Sequence, residues 1–216
     1  VLKLGDVVKL ENGSSWTVKE NGDKLRIYKP PEPDHMYVFG VDTSEGIEGG
    51  DNSGVVVWDK KTGEEVAFYQ GLIAPDRLAD VLNKWGREYN NAMMVVEINN
   101  HGLTTLTLLR NHIYPNIYFR PDKHETIATS WSEKMGWKTT KVTRPLLIDD
   151  LAQALRDGII TIHSEEILDE MTTFVYNDSN EMVASENFHD DTIFAAGVGF
   201  QGFKALPSKP VSQIDY

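Results

Sequence analysis

Met36-Tyr37-Val38-Phe39-Gly40-Val41-Asp42-Thr43-Ser44-Glu45-Gly46-Ile47-Glu48-Gly49-Gly50-Asp51 is the stretch on which the fold turns. Its first six residues form a continuous apolar run, which suits a central strand buried on both faces. Asp42 sits where the run ends, and Thr43-Ser44-Glu45-Gly46 are turn formers. A carboxylate leaving a buried strand lies at the mouth of a sheet, where a charge is costly unless a cation or a donor meets it. Asp42 therefore reads either as a cap on the turn or as a ligand for a cation, and the rest of the chain has to decide.

Downstream, a Gly-rich loop leads to a strand at residues 53–58, a turn at 59–64 and a return strand at 65–70. Three strands joined by tight connections are expected to be antiparallel. Residues 75–89 read as a helix, with Leu78, Val81, Leu82, Trp85 and Tyr89 on one face. Residues 92–96 are a second buried strand, ending at Glu97. A strand reached through a helix after a hairpin is predicted parallel to the first, which brings Glu97 to the same end of the sheet as Asp42. A helix over 102–110 and a further strand at 117–120 follow, then a hairpin or loose loop over 125–140 that contains Trp131 and Trp137. Thr143 is expected to cap a helix carrying Leu147, Leu151, Ala154 and Leu155, with Gly158 ending it. Residues 159–162 read as a short strand. Ser164 is expected to cap another helix, with Glu165 and Glu166 in its first turn and Ile167, Met171, Phe174 and Val175 buried. The last helix begins near His189-Asp190-Asp191 and is apolar all round over 193–199, so it should be packed on more than one side.

Upstream, residues 1–29 alternate apolar and polar around Asn12-Gly13 and Asn21-Gly22, a small β-meander with two tight turns. Pro30-Pro31-Glu32-Pro33 stiffens the chain into an extended connector. This arm reads either as a junction to an upstream domain or as an edge decoration. Residues 204–216, with Pro207 and Pro210 and no apolar period, read as a disordered tail. The expected division is therefore 1–35, 36–203 and 204–216, without internal repeats.

Composition narrows the chemistry. The chain has 216 residues, 40% of them hydrophobic, enough for one well-cored domain. No run of about 18 apolar residues predicts a membrane span, and no basic-apolar leader predicts export. The absence of cysteine excludes disulfides, thiolate zinc sites and cysteine nucleophiles. Any metal site must use carboxylate, carbonyl or imidazole, which favours magnesium, manganese or calcium. A net charge of −12 argues against tight nucleic-acid binding over the whole surface. It is compatible with a nuclease whose acidic residues hold metal ions and whose DNA is delivered by something else.

Asp42, Glu97 and the Asp190-Asp191 pair thus occupy three element ends. Three antiparallel strands, a helix, a parallel strand and a terminal acidic helix match the order of the ribonuclease H-like fold, in which those ends face one another. Several carboxylates within a few Å repel, and they coexist when cations share them. Two Mg²⁺ ions about 3.5–4 Å apart can activate a water and stabilise a leaving oxygen in an in-line attack on a phosphodiester.

The sequence resembles the C-terminal nuclease domain of the large terminase subunit of tailed bacteriophages, the DNA-packaging motor. The resemblance is carried by VFGVDTSEG (38–46), GGDNS (49–53), VVEINNHG (95–102), GWKTT (136–140) with TRP (143–145), and HDDTIFA (189–195), and it spans about residues 28–203. It implies an α/β ribonuclease H-like domain: a mixed central sheet flanked by helices, with the N-terminal meander and an auxiliary hairpin as additions. It implies Asp42, Glu97 and Asp191 as catalytic metal ligands and Asp190 as a further ligand; on a helix the two aspartates point about 100° apart. Asp51 and Glu45 match acidic positions of the first motif and would act around the ions or through water, Glu45 equally reading as a charge on a solvated Gly-rich loop; His189 joins them by its neighbourhood alone. The cofactor implied is Mg²⁺ or Mn²⁺, as two ions. The substrate implied is concatemeric double-stranded viral DNA, cut with little sequence specificity in the host cytoplasm. The partners implied are an ATPase domain of the same full-length protein, a portal and a small terminase subunit. No GxxxxGK[ST] run occurs in these residues, so they should not hydrolyse ATP alone.

Lys134, Lys138, Lys141 and Arg144, interleaved with Trp131 and Trp137, suit a loop that touches a DNA backbone, or equally a solvated hairpin. Arg144 differs from the others in lying within the TRP motif. His101, His124 and His189 are candidate ligands or caps, and Asp149 and Asp150 read as exposed charges at a helix start. Three other functions stand beside the nuclease. One is a resolvase or integrase of the same fold. Another is a non-catalytic module of a packaging motor. The third is a nucleotide-binding domain of the actin and sugar-kinase group, which 216 residues without a repeat are too few to build.

Overall fold

The computed structural model describes residues 16–20, 23–120, 135–176, 182–184 and 190–207. Strands β1 (Trp16–Glu20), β2 (Asp23–Ile27), β3 (Tyr37–Asp42), β4 (Ser53–Asp59), β5 (Glu65–Gly71) and β6 (Met93–Val96) form one sheet in the order β1-β2-β5-β4-β3-β6. β3 pairs antiparallel with β4 and parallel with β6. The parallel β6 follows from the connection: helix α1 (Pro75–Glu88) carries the chain back across the sheet before β6 begins. The meander strands are not separate, because β2 pairs antiparallel with β5, Leu25 opposite Tyr69, and so continues the same sheet.

The sheet is covered on both faces, as the unbroken apolar runs require. Phe39, Val41, Val55 and Val57 face α1 and α2 (Asn100–Asn111), packing with Leu82, Trp85 and Leu106. Val38, Val56, Trp58 and Val95 face the other way, onto α3 (Thr143–Arg156) and α5 (Asp191–Ala205), with Leu147, Leu151 and Val198. α5 is buried along its length from Asp191 to Phe203, as its all-round apolar sequence predicts.

Two glycines set how close α5 lies to the sheet. A Cβ on Gly40 would stand 2.0 Å from the Ala195 carbonyl oxygen and 2.4 Å from the Gly199 nitrogen. A Cβ on Gly54 of β4 would stand 2.7 Å from the carbonyl oxygen of Asp191. Backbone therefore rests on backbone, and the first turn of α5 is held directly over the end of β3 and the start of β4.

Several expectations are corrected. The helix over 165–173, α4 (Glu165–Thr173), stops before Phe174; Phe174 and Val175 lie instead in strand β7 (Phe174–Tyr176), paired with β8 (Met182–Ala184). Both are strong strand formers, and the pairing overrides the helical spacing that places them on α4. Ser164 stands just before α4, its carbonyl accepting from Leu168 N at 3.4 Å, and its hydroxyl donates to the carboxylate of Glu65. Thr143 begins α3 rather than capping it: its N–H donates to the Thr140 hydroxyl at 3.1 Å, and the residue before the helix, Val142, has no capping side chain. Gly158, at φ +67°, ends α3 as expected. Residues 159–162 form one bridge, Thr161 to Glu64, rather than a strand. Residues 117–120 likewise form bridges rather than a strand, Ile117 to Met94 and Phe119 to Met135. The place beside β6 is shared by two pieces of chain, since Tyr118 donates to Met94 O at 2.9 Å and Trp137 to Val96 O at 2.8 Å. Gly136, at φ +73° with a hypothetical Cβ 2.5 Å from Val96 O, lets the second piece in. The first of the two Asn-Gly turns, residues 125–134 of the hairpin or loop expected over 125–140, and residues 208–216 of the tail expected from 204 lie outside the described residues, as do Asn21 and Gly22; Lys204 and Ala205 belong to α5 rather than to a tail.

Candidate active site

The parallel pairing of β3 with β6 puts Asp42 and Glu97 side by side. Val41 opposes Val96, and the Glu97 N–H donates to Val41 O at 2.8 Å. Asp190 and Asp191 come down from the start of α5. These four carboxylates line one cleft of about 470 Å³, with Glu45 and Asp51 on its exposed Gly-rich rim. Among the described residues, the lining has six acidic side chains and one arginine, Arg144.

The charge imbalance is visible in ionisation. Burial pushes the Asp42 carboxyl well above the usual range, and Glu97 pushes it further, by charge and through a hydrogen bond between the two carboxyls; Asp191 and Asp190 add to this. Asp190 is also raised, by burial first. The Arg144 guanidinium opposes that shift, while Glu97 and Asp51 reinforce it. Arg144 Nη2 donates to Asp190 Oδ2 at 2.5 Å, and its guanidinium lies 4.3 Å from the centre of the Phe194 ring.

Neighbouring polar groups fix the cleft walls. Asn99 caps α2, accepting from His101 N at 3.1 Å and Gly102 N at 2.7 Å. Its amide donates to Thr43 O at 2.9 Å and leans on Asp42 Oδ1 at 3.4 Å, so one side chain ties the β3 loop to α2. Ser53 holds the same loop by accepting from Ser44 N at 3.0 Å. Glu170 of α4 is buried beneath the start of α5 and accepts from Thr192 N at 3.0 Å and Ile193 N at 2.8 Å. Its carboxyl is pushed up to about 7, by burial first, with the bonds from Thr192 and Ile193 opposing and Asp191 reinforcing.

Of the residues singled out in the sequence, Asp42, Glu97, Asp190, Asp191, Glu45, Asp51, Arg144 and His101 line the cleft. Lys138 and Lys141 are exposed and do not line it. Lys134, His124 and His189 lie outside the described residues. Asp150 is not a free helix-start charge: it lies in the second turn of α3 and accepts from Gln201 at 3.1 Å and from Lys204, tying α3 to α5. Sequence reasoning missed Asn99 and Glu170. Asn99 carries a capping signal in NNHG, an Asn just before a helix. Glu170 carries none, since a Glu on an amphipathic helix reads as solvated.

A family model of the terminase RNase H-like domain matches residues 39–200. The chain belongs to that family. Solved terminase nucleases share the fold. The large terminase nuclease from thermophilic phage G20c is 18% identical with a TM-score of 0.61, over 82% of this chain and 87% of that one. The same nuclease with bound magnesium is 17% identical with a TM-score of 0.63, over 82% and 86%. The large terminase nuclease domain of Thermus phage P74-26 is 20% identical with a TM-score of 0.62, over 82% and 84%.

The donors of this terminase RNase H-like domain suit a hard divalent cation: carboxylates around an open cleft, with a carbonyl and amides beside them and no thiolate. Among the described residues, however, no three acidic or imidazole side chains converge on one point at a spacing that would hold an ion. The local contacts give the reason. Asp42 and Glu97 are bonded to each other, and Asp190 is bonded to Arg144.

Proposed function

We propose that this domain is a divalent-metal-dependent endonuclease that cuts concatemeric double-stranded DNA during viral genome packaging, in the host cytoplasm. The carrying observation is the meeting of Asp42, Glu97, Asp190 and Asp191 in one cleft, where burial first and then the neighbouring carboxylates raise Asp42. The family membership and the G20c nuclease structures described with bound cobalt, magnesium and zinc support the same reading.

In this reading Asp42, Glu97 and Asp191 hold Mg²⁺ or Mn²⁺, two ions in all, with Asp190 as a further ligand. When bound, the ions supply an activated water and stabilise the leaving oxygen of the scissile phosphodiester. Asn99 keeps the loop after Asp42 against α2, so Asp42 and Glu97 stay adjacent. Arg144 holds Asp190 by charge until a cation displaces it, and is placed to meet a phosphate at the cleft mouth. Asp51, Glu45 and His189 contribute through water. Lys138, Lys141 and Lys134 contact the DNA backbone. The absence of any base-reading motif in the sequence favours cutting with little sequence preference. An ATPase domain of the same protein, a portal and a small terminase subunit bring the DNA to a cleft too acidic to gather it alone.

A plasmid assay tests the reading. Mg²⁺ or Mn²⁺ should convert supercoiled DNA to nicked and linear forms. Ca²⁺ should support binding without turnover, since its larger and looser shell suits in-line attack poorly. No conversion in either metal at any protein concentration would remove the enzyme.

A further inference from the structure

An aspartate at the residue before a helix ordinarily turns its carboxylate onto the N–H groups of the second and third helical residues. Asp190 is in that place before α5, and it makes no such bond. Its carboxylate is turned out to Arg144 and the cleft. The two N–H groups left over belong to Thr192 and Ile193, which are 0% and 1% exposed, so water cannot satisfy them. Both are taken by one oxygen of Glu170, a carboxylate 8% exposed on a different helix.

We infer that Glu170 is a positioning residue for the acidic site: it caps α5 in place of Asp190, so that Asp190 and Asp191 present their carboxylates to the cleft. The role rests on the metal-holding reading of those aspartates. The geometry explains why an already acidic region contains one more buried carboxylate. A helix start whose two aspartates both line the cleft still needs an acceptor for its N–H groups, and the acceptor must come from elsewhere. α4 is itself anchored one turn earlier, where Glu166 accepts from Arg26 at 2.7 Å and pairs with Lys24 at 2.9 Å on β2. The helix is a strut between β2, the second strand of the sheet, and the first turn of α5.

Removing the acceptor should let Asp190 fold back onto Thr192 and Ile193, leaving the cleft a ligand short. Loss of a group that orients a metal ligand typically costs about 10–100-fold in metal affinity or activity. The test uses the whole chain with Glu170→Ala, Glu170→Gln and, as a control on the same helix, Glu166→Gln. Mn²⁺ affinity is read by calorimetry, plasmid cleavage as kcat and KM, and amide hydrogen exchange over residues 191–194 in EDTA. Glu170→Ala should lower Mn²⁺ affinity and kcat by about 10–100-fold with KM for DNA little changed, and should speed exchange in the first turn of α5. Glu170→Gln keeps an acceptor oxygen at the same reach and should stay near wild type on all three. Glu166→Gln should leave Mn²⁺ affinity unchanged. If Glu170→Ala does not fold, Glu170→Asp replaces it, since a carboxylate one methylene shorter withdraws from both N–H groups, and the same losses are expected.

Wild-type Mn²⁺ affinity and kcat in a folded Glu170→Ala or Glu170→Asp would overturn the positioning role while leaving the nuclease reading intact. So would Glu170→Gln losing as much as Glu170→Ala, because charge rather than capping would then matter. A wild-type chain that neither binds Mn²⁺ nor cuts DNA would instead defeat the nuclease reading, and the positioning role with it; faster exchange in Glu170→Ala would then mark Glu170 as a cap only.

Discussion

Glu166 and Asp42 are both carboxylates that burial pushes toward the neutral form, and they end at opposite extremes. Around Glu166, hydrogen bonds and charge from Arg26 and Lys24 more than reverse the effect of burial, and the group settles at about 2. Around Asp42, the ionisable neighbours that act on it are Glu97, Asp191 and Asp190, and each pushes the same way as burial. The sign of the neighbours separates a carboxylate that holds the fold together from one that we propose is held ready for a cation. The Glu166 region ties α4 to β2 and is complete as it stands. The Asp42 region has a charge deficit that only one arginine, Arg144, partly meets among the described residues.

The largest expected effect breaks the cleft without touching a carboxylate. Gly40→Ala would drive a methyl into the backbone of α5, with no flexible side chain to yield. It should cost about 3 kcal/mol or more and move Asp191 away from Asp42. Denaturant unfolding reads the first effect and the Mn²⁺-induced rise in melting temperature the second. A Gly40→Ala protein with wild-type stability would mean that α5 does not lie where the glycines place it.

Arg26→Ala should be next, at about 2 kcal/mol. That is less than a fully buried broken pair costs, because Arg26 and Glu166 keep some exposure. The two regions should also differ in the sign of their pH dependence. Glu166 has a folded value of about 2 against an ordinary 4.5, so its contribution is full above about pH 4.5 and is lost as pH falls through about 2. Asp42 is raised above an ordinary 3.8, so its contribution is full below that pH and is lost as pH rises through the folded value. Urea melts across pH in EDTA should show Glu166→Gln flattening the acid limb and Asp42→Asn removing the loss on the alkaline side. Identical pH profiles for the two variants would erase the distinction.

Arg144→Ala should have the smallest effect on stability, about 0.5–1 kcal/mol in EDTA, since its pair with Asp190 is partly exposed. Cleavage should fall, and the Mn²⁺-induced rise in melting temperature should persist or grow, because Asp190 is then released to a cation. Loss of that rise would show that Arg144 organises the metal site rather than competing for one of its ligands.

Much of this contrast was legible from residues alone. The apolar run 37–41 ending in Asp42, the helix that makes β6 parallel, and the all-round apolar α5 bring three acidic element ends together without any knowledge of contacts. What was not legible depends on partners far along the chain. Phe174 and Val175 continue the spacing of Ile167 and Met171, and only pairing with residues 182–184 makes them a strand. The place beside β6 is divided between Tyr118 and Trp137, which a local pattern cannot express. Arg144 and Asp190 are 46 residues apart, so the basic stretch read as DNA-facing gave no sign that its arginine would turn inward to an acid. Glu170 was invisible for the same reason: its value lies in two N–H groups on another helix.

The central claim is that Asp42 is strained in the metal-free domain and is relieved by a divalent cation. Melting curves of wild type and Asp42→Asn, each in EDTA and in Mn²⁺, test it directly. The account predicts that Asp42→Asn abolishes DNA cleavage, loses the Mn²⁺-induced rise, and melts in EDTA at or above the wild-type temperature. A lower melting temperature in EDTA, reflecting the roughly 0.5–2 kcal/mol of stability that loss of a capping side chain costs, together with an unchanged Mn²⁺ rise and retained cleavage, would contradict it and make Asp42 a turn cap.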